Sequence, residues 1–340
     1  MTNIHIINPH TLTLITTYRC TASCPNCCFN CSPSPVNKKT MTIQEIKSYI
    51  ALVKKTFPSI KVVVFTGGEC TLLNDDLYEG ISFAKKLGLS TRIVTNGHWC
   101  KDKTIGNTVV DNLIRAGLDE INFSSGNEHS IFVPIETLTN AVSLCAESQK
   151  FKSILISIEL SSNSNVTIDS IFKSKHLQDL DDNIRNKIIC INSPWIEFRK
   201  SYKYGDKLYK SNFQFPTQKG CSEILSTINI NPNGQFLSCC GLSSEYSPFL
   251  KLGKIRDDNV KILHNSRFDD IIKLWIFTDG PFSILNKIGF QQGTCNKHGC
   301  EYCLRLLNSK DTLNKLLNIS PEQVEKILFD YNLITNRYEK

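Results

Sequence analysis

The chain has 340 residues, 41% of them hydrophobic, and 39 Lys and Arg against 32 Asp and Glu give a formal net charge of +7. That length holds one large α/β domain plus a smaller one, and the basic residues are scattered rather than gathered in a run, so neither nucleic acid nor a membrane is expected as a partner. No apolar stretch is long enough to span a bilayer, and the opening MTNIHIINPH lacks the charged and apolar regions of a secretion signal. A cytoplasmic location is therefore expected, and in a reduced compartment 15 cysteines read as metal ligands or catalytic thiols rather than as a disulfide framework.

In chain order, TLTLITT (11–17) alternates as a strand, TIQEIKSYIALVKKTF (42–57) has helical periodicity, and IKVVVF (60–65) reads as a buried parallel strand. A helix follows over 76–88, ending at Gly88 as a C′ residue. Strands are then predicted at 90–95, 120–124, 153–160 and 188–198, with helices at 104–116 and 135–148. This is β followed by α about six times, which implies parallel strands with functional residues at their C-terminal ends. After about residue 205 the pattern changes: 226–238 reads as a hairpin turning at Asn233-Gly234, and Ser320-Pro321-Glu322-Gln323 starts a helix in the tail.

Five cysteines lie between Cys20 and Cys31. Of these, Cys20-x3-Cys24-x2-Cys27 forms a three-cysteine set on the loop after the first strand. Three thiolates suit three irons of a 4Fe–4S cluster and leave the fourth open to a small molecule. A zinc site completed by Cys28 or Cys31 is the alternative at this stretch.

The motifs at the next strand ends narrow the choice. CTASCPNC, TGGE (66–69) and Thr95-Asn96-Gly97 together resemble the CxxxCxxC, GGE and TNG elements of the radical S-adenosylmethionine (SAM) superfamily, over roughly residues 11–200. The resemblance implies a partial (β/α)6 barrel over residues 1–205, with a 4Fe–4S cluster on Cys20, Cys24 and Cys27. It places SAM beside Gly67, Gly68, Glu69, Thr95, Asn96 and Ser124. Glu69 would accept a hydrogen bond from the methionine ammonium, and Gly67 and Gly68 would let backbone approach the ligand closely. Two positions depart from the family: Asn26 precedes the third cysteine where an aromatic is usual, and Gly126 stands where an Asp is expected after Ser124. Glu159, on the fifth strand, is a candidate for the ribose, a strand-end surface carboxylate being the alternative.

Cys221-x12-Gly234-x4-Cys239 followed by Cys300-x2-Cys303 resembles the SPASM/twitch extension of many radical SAM enzymes. It implies a small domain over 206–306 with an auxiliary Fe–S cluster, expected as 4Fe–4S, on Cys221, Cys239, Cys300 and Cys303. A zinc ribbon is the alternative, and Cys295 could replace Cys300. Residues 307–340 then form a helical tail. Cys240 should face away from Cys239, because successive side chains on a strand alternate. It is either a free thiol able to donate a hydrogen atom or a small buried hydrophobe.

Along most of the chain the motifs resemble those of epipeptide-type radical SAM peptide epimerases: CCFxCSP (27–33), FTGGE (65–69), NGxW (96–99), His129 with Phe132-Val133, a hairpin ending in CC and a later CxxC. That resemblance implies L-to-D epimerisation of a ribosomally made precursor peptide, with Cys240 as hydrogen-atom donor and flavodoxin or ferredoxin as electron donor. Its rivals are a thioether- or carbon–carbon-crosslinking peptide maturase and a zinc- or Fe–S-bearing regulatory protein. No separate leader-recognition domain is expected. Cys70, Cys100, Cys145 and Cys190 read as packing residues, and no role is assigned to Cys28 or Cys31.

Overall fold

The computed structural model describes residues 4–34, 36, 39–160, 165–194, 196, 220–290 and 298–338. Six parallel strands form the expected barrel sheet: β1 (Thr11–Thr17), β2 (Val62–Gly67), β3 (Ser90–Thr95), β4 (Glu120–Ser125), β5 (Ser153–Leu160) and β6 (Ile188–Pro194). They are linked in sequence by α1 (Ile43–Thr56), α2 (Asp75–Lys86), α3 (Lys103–Ala116), the short α4 (Asn127–Ser130), α5 (Ile135–Ser148), and three short helices, α6 (Ile168–Phe172), α7 (Lys175–Gln178) and α8 (Asp182–Arg185).

Alternate strand residues supply the main core. Leu12, Leu14, Val63, Phe65, Ile93, Ile121, Phe123, Ile156 and Ile158 are fully buried. They pack in one cluster with Ile46 and Ile50 of α1, Leu77 and Ile81 of α2, and Ala141 and Val142 of α5. Each large apolar side chain so buried contributes about 1.5–3 kcal/mol. Cys70, Cys100 and Cys145 belong to this core and Cys190 packs against it.

Local chemistry sets the helix ends. Thr42 and Glu45 form a reciprocal capping box on α1, Asp102 caps α3 through the N–H groups of Thr104 and Ile105, and Gly88 takes a positive φ of 72° just past α2. At the N-terminal end of the sheet, Asp119 accepts from Lys85 Nζ at 2.7 Å, Lys152 Nζ at 2.8 Å and the Thr91 N–H at 2.9 Å. Burial works against its charge, but these partners outweigh it and hold the carboxyl down to about 2.

The hairpin does not stand apart from the barrel sheet. β7 (Thr227–Ile230) pairs parallel with β1, and β8 (Gln235–Leu237) and β9 (Lys251–Lys254) continue antiparallel beyond it, giving nine strands in the order β6-β5-β4-β3-β2-β1-β7-β8-β9. The turn falls at the expected place: Gly234 has φ 71°, and Asn231 Oδ1 accepts from the Asn233 and Gln235 N–H groups. A second core lies beside it, with residues from α9 (Glu223–Ser226), α11 (Ile271–Lys287), α12 (Gly299–Asn308), α13 (Lys310–Leu317) and α14 (Pro321–Tyr338), while α10 (Val260–Asn265) follows β9. The N-cap predicted for α14 is present, the Gln323 N–H donating to Ser320 Oγ. Among the described residues no helix is long and apolar enough to cross a membrane.

Candidate active site

The loop after β1 gathers Cys20, Cys24, Cys27 and Cys31 into one small cluster, with Tyr18, Phe29 and Phe132 packed around it. Burial pushes the Cys20 thiol up to about 12 and that of Cys24 higher still. Cys27 is pulled the other way, to about 6, first by a hydrogen bond from the Cys31 thiol, and the Cys31 N–H also points at its sulfur at 3.4 Å. Asn96 Nδ2 lies 3.7 Å from Cys20 Sγ, which ties this loop to the end of β3.

Glu69, Thr95 and Asn96 form one hydrogen-bonded group. The fully buried Glu69 accepts from Thr71 Oγ1 and Thr95 Oγ1, both at 2.7 Å, and from the Asn96 N–H at 2.8 Å. Among the described residues no cation pairs with it, so one acceptor site on Oε2 remains for a donor from outside. Gly67 and Gly68 answer a demand beyond ligand approach. A Cβ at Gly67 (φ 135°) would lie 2.5 Å from the Thr17 carbonyl oxygen, and one at Gly68 2.0 Å from that of Arg19. The two glycines let β2 close against the tail of β1.

Glu159 is 2% exposed, so it is not a surface carboxylate. It accepts from the main-chain N–H of Glu128 and from His129 Nδ1 at 2.7 Å, which fixes the proton on Nδ1 of that ring. The space an Asp at position 126 would need is filled by Glu159: a Cβ on Gly126 would fall 1.8 Å from its Cγ. Glu128 in turn holds Asn26 of the cysteine loop, so a polar clamp stands where the family usually has an aromatic. Ser124 sits half-buried on β4, and no hydrogen bond joins it to Glu69 or Glu159.

Cys239 and Cys300 meet beside Gly241, where a Cβ would lie 3.1 Å from Cys300 Sγ and 3.4 Å from Cys239 Sγ, and Cys221 and Cys303 are near enough to Cys239 to help raise its thiol. Burial raises all four thiols, Cys221 to about 11. Cys239 is buried, whereas Cys240 is exposed and donates through its thiol to Glu223 Oε2 at 3.1 Å. Loss of water around the sulfur, and then Glu223, hold the Cys240 thiol well above its ordinary range although part of the residue is exposed. Behind the β8 end lies Arg267, fully buried, donating to the carbonyls of Ile224, Thr227, Ser238 and His264. Burial lowers it to about 9, so it stays charged at neutral pH. Cys295 lies outside the described residues.

Two side chains after Cys240 bind the two cysteine regions together. Tyr18 donates to Glu245 Oε1 at 2.6 Å, and Tyr246 donates to the Cys27 carbonyl at 3.0 Å. Glu128, Glu223, Glu245, Tyr246 and Arg267 carry no signal in the sequence, because each is an isolated polar residue whose partner lies far away in the chain.

Residues 14–125 match the family model described as Radical SAM superfamily, so this part of the chain is similar to radical SAM domains, a class built around a 4Fe–4S cluster and SAM. The "Putative peptide biosynthesis protein YydG" of Bacillus subtilis (strain 168) is 29% identical over 170 residues, 49% of this chain and 49% of that protein. The chain thus spans about half the length of the curated relative it matches. Among solved structures, "Native anSMEcpe with bound AdoMet and Cp18Cys peptide" matches with a TM-score of 0.56 at 14% identity, covering 96% of this chain and 97% of that one. "Native anSMEcpe with bound AdoMet" matches at 0.53 and 13%, covering 95% and 100%. At such identities the likeness is one of fold.

The donor chemistry fits iron–sulfur clusters. Among the described residues no three Cys, His, Asp or Glu side chains converge tightly enough to share a single ion. Both sets offer thiol donors, and a cluster takes each thiolate on a different iron.

Proposed function

We propose that the chain is a radical SAM enzyme that inverts the Cα configuration of a residue in a ribosomally made peptide. Cys20, Cys24 and Cys27 would hold the 4Fe–4S cluster, and Cys221, Cys239, Cys300 and Cys303 the auxiliary one. The first cluster with SAM supplies a 5′-deoxyadenosyl radical, able to take a hydrogen atom from carbon. Glu69, buried with no cation paired to it among the described residues, would accept from the SAM ammonium. Thr95 and Asn96 keep its carboxylate aimed, and His129, fixed by Glu159, lines the same strand ends. The peptide assignment draws on the name of the Bacillus subtilis relative.

The observation that carries the epimerase reading is the division of labour at Cys239 and Cys240: the first is buried in the four-cysteine set, the second is exposed beside it with Glu223 at its thiol. A weak S–H bond gives its hydrogen atom to a Cα radical from the face opposite the abstraction. The thiyl left on Cys240 then takes one electron from a flavodoxin or ferredoxin and one proton, for which Glu223 is in contact. Each turnover so balanced consumes SAM and two electrons and leaves peptide mass unchanged.

The test uses synthetic peptides from short open reading frames beside the gene, incubated in deuterated water with SAM and dithionite. The wild type is expected to return one inverted residue carrying one deuterium. C240A is expected to form 5′-deoxyadenosine without D-residue. A product lighter by two hydrogens would replace epimerisation with crosslinking, and stoichiometric zinc with untouched SAM would end the radical reading.

A further inference from the structure

We propose that Arg267 is the counter-charge of the auxiliary cluster: a guanidinium sealed behind Cys239 that raises the cluster's reduction potential and favours its assembly. This rests on the reading of Cys221, Cys239, Cys300 and Cys303 as cluster ligands.

The starting point is an electrostatic mismatch. Arg267 is 0% exposed, and among the described residues no carboxylate pairs with it. A buried cation without an anion is strongly disfavoured. Its partners among the described residues are main-chain carbonyls and an imidazole, none of which carries the opposite charge. Nη1 donates to the carbonyls of Thr227 at 2.9 Å, Ser238 at 3.2 Å and Ile224 at 3.3 Å, and Nε to that of His264 at 3.2 Å. Nη2 meets His264 Nδ1, while His264 Nε2 reaches the Ile7 carbonyl at 3.1 Å. That imidazole must accept on one side and donate on the other, so it is the neutral tautomer and adds no negative charge. The Phe236 ring, 5.3 Å from the guanidinium carbon, closes another side.

The missing anion is supplied by what Arg267 faces. Ser238, whose carbonyl it holds, immediately precedes Cys239, and Ile224 lies three residues after Cys221. The guanidinium thus braces the main chain at two of the four cysteines. A cluster carried by four thiolates is anionic, and reduction makes it more so. A fixed positive charge close by stabilises the thiolate-bound form over free thiols, and the reduced cluster over the oxidised one. Main-chain bracing alone would call for donors, which water or an amide can provide, and would not call for a charge in a sealed position.

The experiment uses the full-length chain with Cys20, Cys24 and Cys27 replaced by Ala, so that the auxiliary set alone contributes iron. Iron and zinc are quantified, the potential is followed by EPR-monitored titration, and Tm is recorded before and after chelation, for Arg267, R267K, R267Q and R267M. R267K is expected to hold the potential near that of the parent. R267Q and R267M are expected to shift it negative by at least tenfold in the oxidised-to-reduced ratio, about 59 mV for a one-electron couple. The Tm gap between R267K and the neutral variants should shrink on chelation, because the charge matters only opposite its anion. If R267Q or R267M carries iron at an unchanged potential, or if the Tm gap is the same with and without iron, Arg267 is a brace and the proposal fails. Zinc in place of iron would show instead that the cluster reading itself fails, and the proposal with it.

Discussion

Glu128 holds Asn26 twice, taking its main-chain N–H at 2.8 Å and its side-chain amide at 2.5 Å. The pair spans 102 residues of sequence and pins the cysteine loop to the end of β4. A carboxylate can accept both bonds, whereas Gln offers one acceptor oxygen and sets an NH2 group against a donor. E128Q is therefore expected to cost about 1.5–3 kcal/mol, the range for a hydrogen bond to a charged group, and to lower both iron loading at Cys20, Cys24 and Cys27 and SAM affinity. Iron analysis and equilibrium dialysis with SAM check this. Parent-like values for both would mean that the clamp does not position the loop.

Gly126 has φ 134° and no room for a Cβ. Introducing the Asp expected from the family pattern would force Glu159 off His129 and the Glu128 N–H. G126D is expected to destabilise the protein by about 3 kcal/mol or more, combining backbone strain with a broken buried network. G126A should fall only slightly short of that, since the clash begins at Cβ. Urea midpoints measure both. A G126A variant as stable as the parent would refute the close approach of Glu159.

Asp119 sets a pH signature. Its folded carboxyl is held at about 2 against 3.8 for the ordinary group. A depressed carboxyl contributes stability that is fully present above the unfolded value, and that contribution is lost as pH falls from about 4 towards 2. The shift corresponds to about 2 kcal/mol. D119N should lose that amount at pH 7 and show a flatter decline below pH 4, read from urea midpoints in cluster-free protein. A parent-like slope in D119N would assign acid sensitivity elsewhere.

The strand–helix alternation was legible because a parallel sheet buried under helices needs apolar runs such as IKVVVF, and each motif falls at a strand end for the same topological reason. β2 runs further than its apolar residues suggest, through to Gly67 paired with Thr17, because glycine rather than hydrophobicity permits that closure. The Asn233-Gly234 turn was legible from its dipeptide. The pairing of β7 with β1 was not, since strand partners more than 200 residues apart leave no local trace. Nor was the pocket chemistry around the cysteines: Glu223, Glu128 and Arg267 resemble any other charged residue until folding sets each against its partner.

The parallel pairing of Thr11–Leu14 with Thr227–Ile230 makes the strand that leads into the first cysteine loop an interior one. A chain ending before residue 220 would retain all three motifs of the radical SAM domain. It would also leave β1 as a bare sheet edge with a free row of N–H and C=O groups flanking Leu12 and Leu14. Such an edge recruits strands from other molecules. The hairpin that follows the six barrel strands is thus a built-in guard against self-association, and a shortened version of this chain would aggregate before it could serve as a minimal catalyst.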